Sequence, residues 1–334
     1  SWPDNITTGK EEKIALSRVI DRGYMSLFEG SHTPDKPFSF YGGPEVQALE
    51  DEWCEFYNTP YSVSVNSATS GLYMAIGALE IGYGDEVIVS PYTMSACAMA
   101  PMIYGAIPVF ADVDDYGSLD PKSIQNLISP RTKAILVVHQ FGIPAQMDEI
   151  LKIAKENNLK IIEDCAQAHG AKYKGTFVGT IGDIGVFSLN VNKAIQSGEG
   201  GVCVTNDKDL HYRLALIRNH GEAVVEAASY TNIVNIAGFN YRMTELQAAV
   251  CRVQLSKLDD LNYERLELVN YLNESLRQFD FFIVPIEKDN CESTYYLYPL
   301  RFLPKSAGVK REDFVNAVNA EGINFAQGYV RPLY

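Results

Sequence analysis

Between residues 44 and 254, short apolar runs rich in β-branched residues alternate with stretches of helical periodicity. The pattern predicts strands at 61–65, 86–90, 107–111, 134–139, 160–163, 184–189 and 201–205. Helices are predicted at 70–79, 93–104, 121–127 and 147–156, the first entered through Ser67-Ala68-Thr69. Several strands are apolar without interruption, as strands covered on both faces are. This order predicts an α/β layer structure with a mostly parallel sheet, and a ligand site beyond the carboxyl ends of its strands. After a turn at Gly238, residues 244–276 read as one long helix with Leu246, Val250, Val253, Leu255 and Leu258 as its apolar positions. It leads into a smaller α+β region with a strand at 295–302 and a helix at 311–321. The expected organisation is an N-terminal segment (1–43), a large α/β domain (44–254) and a smaller C-terminal domain (255–334), without repeats or low-complexity stretches.

The 334 residues are 46% hydrophobic and 21% charged, which is ordinary for a globular protein with a well-buried core. A net charge of −14 argues against nonspecific nucleic-acid binding and against docking on an anionic membrane. Six cysteines lie far apart without a C-x-x-C pair, so free thiols in a reducing cytosol are expected rather than a disulfide scaffold. The five histidines do not cluster with the cysteines along the chain, so no metal site is expected. The polar opening Ser1-Trp2-Pro3-Asp4 does not read as a signal peptide, and its lack of Met suggests a trimmed or partial chain.

Candidate chemistry concentrates between Ile161 and Asp207. One apolar run ends in the acidic pair Glu163-Asp164. Another carries Ser188 near its end, and Lys193 follows in a polar loop closing on Gly198-Glu199-Gly200-Gly201. A strand-end carboxylate and a loop lysine suit an aromatic, anionic cofactor: the lysine can form a Schiff base and the carboxylate can keep a pyridine nitrogen protonated. Ser67-Ala68-Thr69, at a strand-to-helix junction, offers hydroxyls and helix-start amides to a phosphate.

These stretches, IIEDCAQAHG and VFSLNVNKAIQSGEGG, resemble the DegT/DnrJ/StrS family of sugar aminotransferases, which have the aspartate-aminotransferase-like fold and use pyridoxal 5'-phosphate. The resemblance implies that Lys193 is the Schiff-base lysine and proton shuttle, that Asp164 faces the pyridine nitrogen and that Gln167 binds the phenolic oxygen. It also implies that Ala68, Thr69 and Ser188 hold the phosphate, although the family usually has Gly-Thr where this chain has Ala68-Thr69. Asn240, in GFNYRMTELQ, matches an asparagine that the family contributes from the neighbouring subunit, which implies a homodimer with shared sites; alternatively it caps the helix near Thr244. Met94 stands where the family commonly has an aromatic residue stacked on the ring, and His169 could equally be a packed structural histidine. The family's small domain also continues past Tyr334.

The function so implied is transfer of an amino group from glutamate or glutamine to a keto sugar, nucleotide-linked, in glycan or antibiotic-sugar assembly. Arg218-Asn219-His220-Gly221 leans towards that branch, whereas Trp2-Pro3 and the run YYLYPLRF are reminiscent of keto-inositol aminotransferases. A nicotinamide dehydrogenase would need G-x-G-x-x-G after an early strand, where this chain has NSATSG. A regulator that had lost its chemistry would not need Lys193, Asp164, Gln167 and Ser188 together.

Overall fold

The computed structural model describes residues 7–30, 38–221, 224 and 230–333. Helices α1 (Lys10–Arg22) and α2 (Pro44–Tyr57) precede a seven-stranded sheet. Its strands are β1 (Tyr61–Val65), β2 (Glu86–Val89), β3 (Ile107–Phe110), β4 (Thr132–Val138), β5 (Lys160–Asp164), β8 (Ile184–Ser188) and β9 (Gly201–Thr205). Two short strands, β6 (Lys172–Tyr173) and β7 (Thr176–Phe177), fall between β5 and β8. The sheet order is β1-β9-β8-β5-β4-β2-β3. Pairing is parallel from β8 to β3, whereas β9 runs antiparallel to both β8 and β1. The loop 189–200 folds back on itself through the Leu189–Gly200 and Val191–Gly198 backbone bonds, so β9 returns beside β8 as the second arm of a hairpin.

Helices α3 (Ala68–Ala78), α4 (Ala96–Ile103), α5 (Pro121–Leu127), α6 (Met147–Glu156) and α7 (Lys208–Arg218) pack on the two faces. Helix α3 lies in the cluster of Val65, Val87, Leu136, Ile162 and Val186 and buries eight of its eleven residues, which explains why its sequence is apolar nearly all round. The opposite face packs Trp53, Tyr57, Phe187 and Leu189 against helix α8 (Glu245–Ser256).

The helix predicted over 244–276 is two helices, α8 and α9 (Leu258–Leu276), meeting at Lys257. The Lys257 amide donates to Gln254 O (3.1 Å), three residues back rather than four, and its ammonium binds Glu12 (2.7 Å) on α1. The strand predicted over 295–302 shrinks to β12 (Arg301–Phe302), paired with β10 (Phe282–Ile283). Tyr295 adopts a left-handed backbone (φ +46°) and Pro299 has no amide to donate, so the run cannot continue as a ladder. Strand β11 (Cys291–Glu292) pairs with β6, and helices α10 (Pro304–Ala307) and α11 (Arg311–Ala320) follow β12. Helices α1, α2 and α7 lie outside the sequence-predicted set. The opening Trp2-Pro3 lies outside the described residues. No helix among the described residues is long and apolar enough to cross a membrane.

The end of β5 is fixed from below by Glu163, which is fully buried. Its Oε2 accepts from His139 Nε2 (2.9 Å) and the Gly179 amide (2.8 Å), and its Oε1 from the Ile181 (2.9 Å) and Gly182 (2.6 Å) amides. His139 Nδ1 in turn accepts from the Ala145 amide (3.1 Å), so the ring proton sits on Nε2. Contrary to the sequence expectation, a histidine and a cysteine do come together here: His139, Glu163 and Cys165 lie within one ligand sphere. The donors and acceptors of His139 and Glu163 are committed to these hydrogen bonds.

Burial pushes the Glu163 carboxyl up, but the bonds from His139, Gly179 and Gly182 outweigh this and hold it below the ordinary value of 4.5. Its stabilising contribution is therefore complete above that value and drains away as pH falls. Glu163→Gln keeps the shape but loses the charge that three amides and an imidazole converge on. We expect a destabilisation of about 3 kcal/mol or more by urea unfolding at pH 7, and a flatter loss of stability than wild type below pH 4.5. Equal unfolding midpoints at pH 7 would remove Glu163 from this role.

Candidate active site

Period-two alternation along β5 sends Glu163 into the protein and Asp164 to the opposite side, at the carboxyl edge of the sheet. The Asp164 carbonyl accepts from the His139 amide (3.1 Å), which ties the ends of β4 and β5 together. Its carboxylate accepts from the Ala166 amide at Oδ1 (2.9 Å) and from the Cys97 thiol at Oδ2 (3.1 Å). Only 6% of Asp164 is exposed.

Lys193 sits in the loop between β8 and β9, which is pinned at several points. Leu189 N donates to Gly200 O, Val191 N to Gly198 O and Lys193 N to Asn190 O, each at 2.9 Å. Gly198 (φ +81°) and Gly200 (φ +157°) occupy left-handed conformations that a side chain would strain, which accounts for the glycines in this turn. The Lys193 ammonium lies 4.6 Å from the Tyr296 ring centroid. Burial lowers its pKa from the usual lysine value, and the negative charge of Asp164 works against that shift. The pair thus shares one electrostatic environment at the sheet's edge. His169 is buried edge-on against Trp53 (6.5 Å) with Phe187 at 5.7 Å. Burial, helped by the Lys193 charge, depresses it to about 3, so the ring is neutral and part of the packing.

Gln167 projects into the same space. Its Oε1 accepts from the Phe141 amide (2.8 Å), and its Nε2 donates to Tyr329 OH (3.2 Å) and lies 3.4 Å from Gln140 Oε1. Phe141 itself is left-handed (φ +61°), an unusual conformation for a bulky residue that turns its amide towards Gln167. Tyr329 meets Phe141 (5.7 Å) and Tyr92 (6.3 Å) edge-on, and its amide donates to Tyr92 OH (3.3 Å). Tyr296 and Tyr329 escaped the sequence reading because nothing in their local pattern separates them from ordinary aromatic packing. Met94, in the turn before α4, is 54% exposed, and its carbonyl accepts from the Cys97 amide (3.2 Å).

The start of α3 forms the other wall. Ser67 caps it, accepting from the Ser70 amide (3.1 Å), while Ser70 Oγ donates to Asn66 Oδ1 (2.6 Å). The amides of Ala68 and Thr69 head the helix, where no carbonyl of its own can reach them. The Ala68 methyl packs against the apolar cluster under α3, which explains how alanine is accommodated at this turn. A Cβ on Gly201 would lie 2.8 Å from the Ala68 nitrogen, so β9 and α3 approach backbone to backbone. Gly201 pairs with Ser188 across the β8–β9 ladder, and this brings the buried Ser188 beside the helix start.

Asn240 is exposed, and its carbonyl accepts from Asn66 Nδ2 (3.4 Å). It does not cap α8: Thr244 does, in a capping box with Gln247. The segment 221–237 before Asn240 lies partly outside the described residues. Of its described apolar residues, Ile233 and Val234 are exposed, whereas Val224 is buried and Tyr230 and Ile236 pack against the same cluster.

A buried lysine of lowered pKa, a strand-end carboxylate, a glutamine amide and an anion-ready helix start fit an aromatic aldehyde carrying a phosphate. The donor set matches pyridoxal 5'-phosphate, with amides and hydroxyls at one end and a carboxylate at the other.

Known proteins agree with this geometry. The sequence profile of the DegT/DnrJ/EryC1/StrS aminotransferase family matches residues 36–334. The spore coat polysaccharide biosynthesis protein SpsC of Bacillus subtilis is 33% identical, over 98% of this chain and 83% of its own length. The GDP-perosamine synthase of Escherichia coli O157:H7 is 36% identical, over 81% of this chain and 72% of its own. The crystal structure of S. venezuelae DesV in complex with a ketimine intermediate superimposes with a TM-score of 0.82 at 33% identity, covering 94% of this chain and 78% of DesV. With its site geometry and its sequence pointing the same way over nearly its whole length, the chain belongs to the DegT/DnrJ/EryC1/StrS aminotransferase family.

Proposed function

We propose that the protein uses pyridoxal 5'-phosphate to move an amino group from glutamate or glutamine to a nucleotide-linked keto sugar, in glycan or antibiotic-sugar assembly. The observation that carries the reading is Lys193, buried with a lowered pKa and electrostatically coupled to Asp164, beside the open start of α3. Relatives named for GDP-perosamine and for a dTDP-amino sugar support the choice of substrate.

When bound, the cofactor supplies a carbonyl for an amine to join and an aromatic ring that takes up the electron pair released when a C–H bond breaks. Lys193, whose amine loses its proton more readily than a surface lysine, would be the residue that anchors the cofactor, and its Nζ would hold and move the proton at the substrate carbon. Asp164 would keep the ring nitrogen protonated, and Gln167 would donate to the phenolic oxygen. Ala68 and Thr69 amides with the Ser188 hydroxyl would hold the phosphate, and Met94 would offer its thioether to the ring. Asn240 completes the phosphate site of a second copy of the chain. The exposed Met99, Met102 and Ile103 of α4, with Ile233 and Val234, are suited to burial in such a homodimer.

Three outcomes are expected. Borohydride should fix the cofactor to Lys193 in wild type, and Lys193→Ala should lose both the adduct and the absorbance band that marks it; labelling of another lysine by peptide mass analysis overturns the assignment. Asp164→Asn should retain cofactor while turnover with a keto-sugar nucleotide falls by about a hundredfold or more, since an amide no longer enforces ring protonation. Near-normal turnover in the loaded variant contradicts the role. Finally, mixing inactive Lys193→Ala and Asn240→Ala chains should restore one intact site in each mixed dimer. Exchange of subunits without recovered activity argues that Asn240 serves its own chain.

A further inference from the structure

Cys97 occupies the second position of α4, completely buried among the apolar residues beneath the sheet's edge. Most of its neighbours are hydrocarbon, yet its sulfur lies 3.1 Å from Asp164 Oδ2. Burial and the adjacent carboxylate push the thiol well above its ordinary pKa, so the sulfur keeps its proton at neutral pH and can only donate to Asp164. With that hydrogen committed, the buried Thr93 hydroxyl, 3.9 Å away, is oriented to donate to the sulfur. The result is a chain, Thr93 to Cys97 to Asp164, running from the turn before α4 to the carboxylate. On its other oxygen Asp164 accepts from the Ala166 amide, so the carboxylate is clamped by donors on two different elements.

We propose that Cys97 is a positioning residue for Asp164, fixing the rotation of the carboxylate so that its remaining lone pairs face the nitrogen of the cofactor ring. The inference rests on the aminotransferase reading of Asp164 and Lys193. A thiol suits the task better than an ammonium, whose charge would compete with the ring for the carboxylate. Sulfur is a weak donor, so it orients the carboxylate while withdrawing little of the basicity that keeps the ring nitrogen protonated. It also fills an apolar pocket at little desolvation cost. Among the described residues, other charged or titratable groups that act on this neighbourhood are Lys193, opposite Asp164, the buried Cys165 thiol, raised by burial and by the Glu163 and Asp164 charges, and Tyr329, whose pKa is raised by burial and by the fields of Tyr296 and Asp164.

The test compares cofactor-loaded wild type with Cys97→Val, which keeps the volume and removes the donor, and Cys97→Ser, which keeps a donor. The readout is the pH midpoint of the absorbance change of the Lys193-bound cofactor, followed by the rate at which each protein releases cofactor on dilution. Removing the donor makes Asp164 more basic and draws the ring proton towards it. The ring becomes less positive, so the midpoint in Cys97→Val should rise by about half a pH unit, with release several-fold faster. Cys97→Ser should stay near wild type in both, and thermal unfolding of the apo proteins should show all three folded. An unchanged midpoint in Cys97→Val, or a Cys97→Ser variant as perturbed as Cys97→Val, overturns the proposal. If Lys193→Ala instead retains the wild-type spectrum, the aminotransferase reading itself fails, which separates the two.

Discussion

Glu163 and Asp164 are adjacent residues on one strand, and the architecture of the site depends on their pointing to opposite sides. Glu163 is an anion taken out of water, tolerable only because one imidazole and three backbone amides converge on it. Those partners come from the end of β4 and from the 179–182 turn before β8, so a single carboxylate staples three consecutive segments at the sheet's edge. Once it is held, the backbone of the next residue has no freedom, and Asp164 is presented at a fixed height and direction. The polar cost of the buried side is what makes the functional side rigid.

Much of this was legible in the chain. Runs such as AILVV and the β-branched stretch ending at Asp164 have no polar face, and that alone implies strands covered on both sides. Asp164 and Ser188 end the neighbouring strands β5 and β8, Gln167 follows the first and Lys193 the second, as the placement of the apolar runs along the chain implied. What the pattern could not convey depends on long-range geometry. The reversal of β9 comes from a loop whose own backbone bonds fold it back, and an apolar strand reads the same in either direction. The break at Lys257 arises because its ammonium reaches Glu12, some 245 residues away in sequence. Tyr295 looked like a strand residue by composition, but Pro299 and a left-handed turn deny it a ladder.

The aromatic residues around the site illustrate the same limit. Tyr92, Phe141, Tyr296 and Tyr329 come from four separate segments and meet around Gln167 and Lys193. Each is, locally, one aromatic residue in a chain that has 20 tyrosines and 15 phenylalanines. Only the convergence of β4, α4 and the later segments gives them a shared purpose, and the left-handed Phe141 is the local trace of that convergence.

Ser188, Lys193 and Gly201 all belong to the single hairpin formed by β8, its loop and β9. On the proposed roles, the covalent anchor and one side of the phosphate cradle belong to one cooperative unit of the fold. If this hairpin opens locally, both contacts are lost together, and neither can be given up while the other remains. Cofactor escape and the opening of the hairpin become a single event, so a bound cofactor should protect the amides of residues 184–205 from hydrogen exchange far more than those of the outer helices.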